Sequence, residues 1–364
     1  MMRNYIFVAL VVLLSACGDA PKTELTKDKK VIKPQYAKGF EIQEFVDGSF
    51  DVVIFDPTQS QDTLQIIHRT KSPANKLAVS ETAHLAFIGR LHHLSDVLAV
   101  DFEGVEYNMF LKKKMGGMRL VDLFKYEEVD VTVVKQVDPD LFFVTPQLKL
   151  DSSEYGKQGI QCVKIAAHME AHPLGRAEWL KVFGYLLGER EKAERYFNEI
   201  ATGYDSIANL LALRKFKKPL VMVGGIDLGL DAWMCTESNL IMTQLLQDAG
   251  ATNMFQDQKT FETLKISEDS IAAISQNADY IGIMLAYHEK FSPPEELFTS
   301  KETWLAASPA NKQGKLFYMD YLLSDYHVDG ILEPHVMLQD LMHIFHPDVI
   351  KGTGKYFENY NRRF

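Results

Sequence analysis

The sequence predicts an α/β fold of two lobes, each built on a central, mostly parallel sheet, and three observations carry that expectation. Short apolar strand-like runs alternate with helical patterns between residues 76 and 144. The alternation resumes after Pro219 and continues to 345, and the intervening 175–215 is helical throughout. Alternation of this kind marks βαβ units, whose crossovers make neighbouring strands parallel. The second half also echoes the first. Ser80-Glu81-Thr82 opens a helix in one and Thr236-Glu237-Ser238 in the other, while Asp138-Pro139-Asp140 and Asn277-Ala278-Asp279 each lead into an apolar strand.

Taken in order, residues 1–16 read as a secretory signal: Arg3, an apolar run from Tyr5 to Leu14, then Ser15-Ala16 before Cys17. The run is too short for a permanent membrane span. Residues 17–38 are polar and lack an apolar face, so they read as a flexible tether, with the folded body starting near Gly39. The N-terminal lobe is expected over 39–174. It opens with strands at 40–45 and 50–55 around an Asp47-Gly48 turn, a good hairpin signal, and a third strand at 63–68. Strands at 76–79, 97–100 and 140–144 follow, with helices over 81–91 and 131–137. In 175–215, Gly188 separates a helix over 176–187 from one over 189–213, with apolar Ala193, Phe197, Ile200, Tyr204, Ile207 and Leu211 at steps of three and four. This long helix is either an amphipathic helix packed on a sheet or a rigid strut between lobes. The C-terminal lobe, 216–364, carries strands at 220–223, 279–284 and 315–320 and helices over 238–249, 269–276 and 334–345.

Composition narrows the function. At 364 residues, 46% hydrophobic and 24% charged, the chain has enough apolar material for a large core without disulfide staples. A net charge of −10 gives no attraction to phosphate backbones, so nucleic acid is not an expected partner. Of three cysteines, Cys162 lies in an apolar run and Cys235 in a polar stretch, which leaves both free thiols and one disulfide open. No G-x-S-x-G elbow, P-loop, G-x-G-x-x-G fingerprint or H-E-x-x-H is present, so no enzyme activity is expected. Asp329 with His327 is the one carboxylate–histidine pair a hydrolase reading would use. The eleven histidines form no compact ligand motif, and no dedicated metal site or resident cofactor is expected. Gly224-Gly225 after a strand reads as a tight turn more readily than as a phosphate cradle.

Leu14-Ser15-Ala16-Cys17 resembles the bacterial lipobox, which implies cleavage before Cys17 and lipidation of its thiol. More than one acyl chain is what stable anchoring requires. That motif, Ser80-Glu81-Thr82-Ala83-His84, Val137-Asp138-Pro139-Asp140-Leu141, His172-Pro173-Leu174-Gly175-Arg176-Ala177-Glu178-Trp179 and Gln247-Asp248-Ala249-Gly250 together resemble the periplasmic substrate-binding proteins of iron-complex and cobalamin ABC importers. The His172–Trp179 stretch is most similar to the version in Bacteroidetes-type lipoproteins. The likeness runs from residue 36 to about 350.

The resemblance implies two lobes joined by a stiff backbone helix, a ligand held in the cleft between them, and a monomer anchored in the periplasm. The ligand expected is a ferric siderophore or related iron complex, with cobalamin and haem as alternatives, delivered to ABC importer permease subunits. Loops at the carboxyl ends of parallel strands are where such sheets bind ligands. By that rule the ligand-binding candidates are His84, Tyr107, Arg119 and Arg176 together with Trp233, Tyr287 and Tyr326. Glu81, Thr82, Asn108, Met234, His288, Tyr321 and His327 lie nearby. Trp and Tyr faces suit a flat chelate, and an arginine suits its carboxylates. For Arg176 an ion pair with Glu170 or Glu178 is an equal reading. Relatives dock through one exposed glutamate per lobe; the matching positions here are Thr132 and Asn239, so Glu127, Glu128 and Glu237 are the docking candidates.

Overall fold

The computed structural model describes residues 29–56, 62–69, 73–126, 128–150, 155–227, 232–235, 239–257, 264–285 and 304–360. The signal segment, Cys17, Glu127, Glu237, Tyr287 and the side chain of Tyr107 lie outside the described parts. Among the described residues no helix is long and apolar enough to cross a membrane.

Four antiparallel strands come first: β1 (Lys29–Ile32), β2 (Phe40–Phe45), β3 (Phe50–Phe55) and β4 (Thr63–Arg69), in spatial order 1-2-3-4. The β2–β3 turn is closed by Asp47, whose carboxylate accepts the Ser49 N–H at 2.9 Å, and by Gly48 at φ 81°. Here the expected tether is corrected. Residues 29–38 are part of the body, because β1 pairs with β2 and the backbone of 35–39 is captured by two remote carboxylates. Glu178 accepts the N–H groups of Gln35, Tyr36 and Ala37 at 2.7–3.0 Å. Glu170 accepts those of Lys38 and Gly39 and the Trp179 indole N–H at 2.8–3.0 Å.

The N-terminal lobe's main sheet is all parallel. Its strands are β5 (Leu77–Val79), β6 (Val97–Val100), β7 (Val121–Asp122), then, after a small hairpin of β8 (Phe124–Lys125) and β9 (Glu128–Val129), β10 (Leu141–Val144) and β11 (Gln161–Lys164). The order is 11-10-5-6-7. From β5 the chain first builds outward through β6 and β7, then returns to the other flank of β5 at β10. The antiparallel sheet is stitched to the β11 edge by Gln65, whose amide donates to the Cys162 carbonyl at 2.7 Å and accepts the Lys164 N–H at 2.9 Å.

The expected helix over 176–187 is two helices, Pro173–Glu178 and Leu180–Leu186, and the long one runs Arg190–Ala208 with a 3₁₀ turn to Leu211. Nineteen residues at 1.5 Å each make a spine of about 28 Å. Its buried face, Ala193, Phe197, Ile200, Ala201 and Tyr204, packs into a core that continues into both lobes. The strut and the packed amphipathic helix are therefore one and the same element.

In the C-terminal lobe the strands are β12 (Leu220–Asp227), β13 (Ala232–Cys235), β14 (Thr252–Asn253), β15 (Leu264–Ser267), β16 (Tyr280–Leu285), β17 (Leu316–Asp320) and β18 (Glu358–Asn359). Order 15-13-12-16-17-18, with β14 beside the start of β12, gives a parallel centre and antiparallel edges. Cys162 and Cys235 are buried free thiols, one in each lobe's sheet. Burial pushes Cys162 up to about 11 and Cys235 to about 12. The closing helix Pro334–Phe345 carries Asp340, 1% exposed, which gathers the N–H groups of Thr353, Gly354 and Tyr356 at 2.6–3.0 Å.

Because Glu178 is fully buried, takes backbone donors on both oxygens and pairs with Lys181 at 3.0 Å, Glu178→Gln both removes that ion pair and sets an NH₂ group against backbone N–H groups. Urea unfolding should show a loss of about 2–4 kcal/mol, with the midpoint shifted and the slope kept. An unchanged midpoint would mean that the clamp and the Lys181 pair together contribute nothing net.

Candidate functional site

The carboxyl ends of β5 and β10, where the strand order reverses, open into a cavity of about 580 Å³ between the lobes. Clefts at such switch points are where open α/β sheets bind ligands, and this volume lies within the range of small-molecule sites. After β5 come Glu81, Thr82 and His84; after β10, Thr145 and Gln147; after β11, His168. Arg176 enters from the short helix before the spine, and Tyr321 and His327 from the segment after β17. A wider groove of about 970 Å³ runs along the outer face of the spine, but it is open and ringed by solvated charges such as Arg190, Glu194 and Glu199. It has no strand ends behind it.

Arg176 is the cation of this cavity. Its Nε is buried without a hydrogen-bond partner, and among the described residues its guanidinium forms no ion pair. The alternative reading, a pair with Glu170 or Glu178, fails because both carboxylates are spent on the 35–39 backbone. Around it stand imidazoles held neutral. His84, 3% exposed, is pushed down to about 3 by burial and by the charges of His168 and Arg176. His168, half-buried, is lowered to about 4 by burial and Arg176. His327 is reached by solvent, yet the crowding walls and Arg176 still hold its ring below ordinary basicity. It stacks on Tyr321 with ring centroids 4.7 Å apart and planes 26° apart. Among the described residues no group of three or more His, Cys, Asp or Glu side chains is placed to hold a metal ion.

The expected ligand residues divide. His84 and Arg176 line the cavity. Tyr326 does not; it is 3% exposed behind the wall, its ring against Tyr321 and His327, and it buttresses them. Arg119 is exposed in the loop after the helix Met109–Met115, away from the cavity lining. Trp233 is a correction of substance. On β13 it is 1% exposed, packed edge-on to Trp304 at 5.6 Å within the C-terminal core. Its polar sequence neighbours hid a strand with one inward face. The same ring explains Gly224-Gly225, since a side chain at Gly224 would overlap the Trp233 indole; the pair is neither a tight turn nor a phosphate cradle. Glu128 is exposed on β9, and Thr132 is exposed at the start of the helix Val131–Val137. His168, Gln147 and Thr145 were missed, although the strand-end rule that selected Glu81 applies equally after β10 and β11.

Neutral buried histidines make stability depend on pH. The folded values of His84 and His168 lie below the unfolded value of 6.5, so the unfolded chain takes up protons first as pH falls. Stability is full above about 6.5 and drops as pH decreases toward 4, by about 2 kcal/mol for His84 alone between pH 6.5 and 5. Glu170, raised by burial, works in the opposite direction. Urea midpoints from pH 7.5 to 5 should fall, and His84→Gln should flatten the slope by one proton's share; a slope indifferent to that change would contradict a neutral buried His84.

The profile of the periplasmic binding protein family matches residues 107–321, more than half of the chain. A solved periplasmic binding protein from Veillonella parvula superposes with a TM-score of 0.59 at 16% identity, covering 79% of this chain and 97% of its own. A periplasmic heme binding protein from Pseudomonas aeruginosa gives 0.56 at 15% identity, covering 79% and 98%. An ABC-type Fe³⁺-hydroxamate transport system protein from Saccharomonospora viridis gives 0.55 at 12%, covering 78% and 96%. Likeness at these identities establishes the fold. An uncharacterized lipoprotein of Methanocaldococcus jannaschii is 22% identical over 259 residues, 70% of this chain, and the match spans 60% of that relative's length. With a two-lobed α/β architecture, a cavity at the strand ends and a family match over more than half of the chain, the chain belongs to the periplasmic binding protein family.

Proposed function

We propose that this chain captures an anionic metal chelate, a ferric siderophore or related iron complex, in the cavity between its lobes and passes it to the permease subunits of an ABC importer. The observation that carries this is Arg176: a guanidinium on the cavity wall whose Nε is buried without a hydrogen-bond partner, beside imidazoles that stay neutral. A buried donor without a partner is costly, and an anionic ligand that accepts from it offsets that cost on binding. Guanidinium also suits carboxylate or catecholate oxygens through two parallel N–H···O bonds. The matched family and the solved neighbours are binding proteins, which agrees with capture rather than turnover.

In this reading Cys17 carries the lipid that holds a monomer at the periplasmic face of a membrane. Glu128, with Glu127 and Glu237, takes the place of the docking glutamates on the faces that meet the permease. Haem is the second reading, favoured by one feature: His327 and Tyr321 present a neutral imidazole and a phenol side by side on the open wall, and both are groups that ligate haem iron.

Calorimetric titration of the purified chain against ferric citrate, a ferric tris-catecholate, a ferric trihydroxamate, haemin and cobalamin decides between these. An anionic iron chelate should bind saturably and lose about tenfold to a hundredfold in affinity in Arg176→Gln. Because His84 and His168 stay neutral down to about 4, its affinity should be flat between pH 6 and 8. Haemin bound through His327 would show a Soret shift abolished by His327→Ala. Saturation by none of the five, or binding indifferent to Arg176→Gln, would sink the proposal.

A further inference from the structure

A side-chain amide that lines the cavity, that of Asn108, makes a polar contact between the two lobes. Asn108 sits between the helices Phe102–Tyr107 and Met109–Met115. Its Oδ1 accepts the N–H groups of Phe110 and Leu111 at 3.0 and 2.9 Å, which caps the second helix. Its Nδ2 points the other way and donates to Oδ1 of Asp325, in the C-terminal lobe, at 3.1 Å. The same side chain lines the cavity.

Asp325 is 2% exposed and sits at φ 55°, in the left-handed region that Asp and Asn tolerate better than other side chains. Facing its carboxylate are Asn108, the Lys114 ammonium at 3.9 Å, the Asp329 carboxylate and the Asp329 backbone N–H. Lys114 itself turns to Asp329, 2.7 and 2.8 Å from its two oxygens, so it bridges the lobes a second time. These contacts are unequal. Lys114 and Asp329 are each about two-fifths exposed, and exposed pairs of that kind contribute little. A buried carboxylate deprived of a hydrogen-bond donor, by contrast, bears the full desolvation cost. The lobes and spine share one continuous core, and these contacts lie outside it.

We propose that Asn108 fastens the two lobes over the cavity, its oxygen fixing the N-terminal lobe's helix and its nitrogen holding the C-terminal lobe's Asp325, so that closure of the cleft is set by this amide. What closure is for rests on the ligand-binding reading; the contact itself does not. Asn108 is thus a positioning residue, and Lys114–Asp329 is a weaker outer tie.

The test is amide hydrogen exchange on the full chain, with no ligand added. Asn108→Asp keeps an acceptor that caps Phe110 and Leu111, because Asp is as good an N-cap as Asn, but it sets a carboxylate against Asp325. Exchange at Val328, Gly330 and Ile331 should then quicken about tenfold or more, while the Thr353 and Tyr356 amides held by Asp340 stay as they are. Asp325→Asn alone should remain near wild type, since its amide oxygen still accepts from Asn108. In the double variant Asn108→Asp with Asp325→Asn, donor and acceptor change places and slow exchange should return. Wild-type exchange in Asn108→Asp, or a double variant as fast as Asn108→Asp, would overturn the proposal. Should Asn108→Asp fail to fold by far-UV circular dichroism, Asn108→Ser replaces it with the same expectation, since Ser caps the helix but lacks the reach to Asp325. Haemin titration in parallel reads the ligand proposal separately: faster exchange with no haemin binding leaves the fastening in place and counts only against haem.

Discussion

Everything at the cavity depends on two buried carboxylates at the foot of the spine. Glu170 and Glu178 receive the consecutive N–H groups of residues 35–39 and so bind the N-terminal antiparallel sheet to the short helix Pro173–Glu178. Buried carboxylates are tolerable only when their oxygens are satisfied; backbone N–H groups do this for both, with the Trp179 indole added at Glu170 and the Lys181 ammonium at Glu178. The backbone approaches closely enough that a side chain at Gly175 would stand 3.1 Å from the Tyr36 carbonyl. That helix is fixed on one side by this clamp and on the other by Leu174 and Ala177, which are fully buried in the shared core. Arg176, on the remaining face, inherits its position from both.

With Arg176 fixed, the electrostatics of the cavity follow from its surroundings. Burial alone disfavours a charged imidazole, and a neighbouring guanidinium adds repulsion, so His84 and His168 stay neutral. Neutral imidazoles offer a donor and an acceptor without net charge, which leaves Arg176 as the cation of the cavity. The cavity sits where β5 gives way to β10 because the strand ends diverge there, and the tyrosine–histidine stack after β17 supplies the opposite wall. A core that runs unbroken through both lobes and the spine argues for small adjustments around this site and against wide domain opening.

Much of the fold was legible because periodicity reports local environment. Strands Phe40–Phe45, Phe50–Phe55 and Val97–Val100 and helices Val131–Val137 and Pro334–Phe345 lie where the apolar spacing predicts them. The failures share a cause, which is that the deciding partner is remote in sequence. Residues 29–38 look like a tether because they carry no apolar face, yet their backbone is satisfied by carboxylates more than 130 positions away. Trp233 looks accessible because Asp231 and Thr236 flank it, yet on a strand alternate side chains face opposite ways and its own face is the core. The helices Phe102–Tyr107 and Met109–Met115 are too short to show a period, and their caps, Asp101 and Asn108, are the signal that could have found them.

The stretch His172–Trp179 shows why a motif can identify a family while saying little about which of its residues act. His172 caps the helix through Nδ1 to the Leu174 N–H at 3.1 Å, and Pro173 occupies the first helical position, where no donor is missed. Leu174 and Ala177 fill the core, Gly175 admits the Tyr36 backbone, Glu178 clamps it, and Trp179 packs edge-on to Phe40 while its indole holds Glu170. Seven of the eight residues are accounted for by folding alone. Arg176 is the remainder: a charged side chain fixed on the wall of the strand-end cavity, with Glu170 and Glu178 already engaged elsewhere. In the proposed capture reading this is the side chain that meets the ligand, and a guanidinium is chemically suited to a negatively charged one.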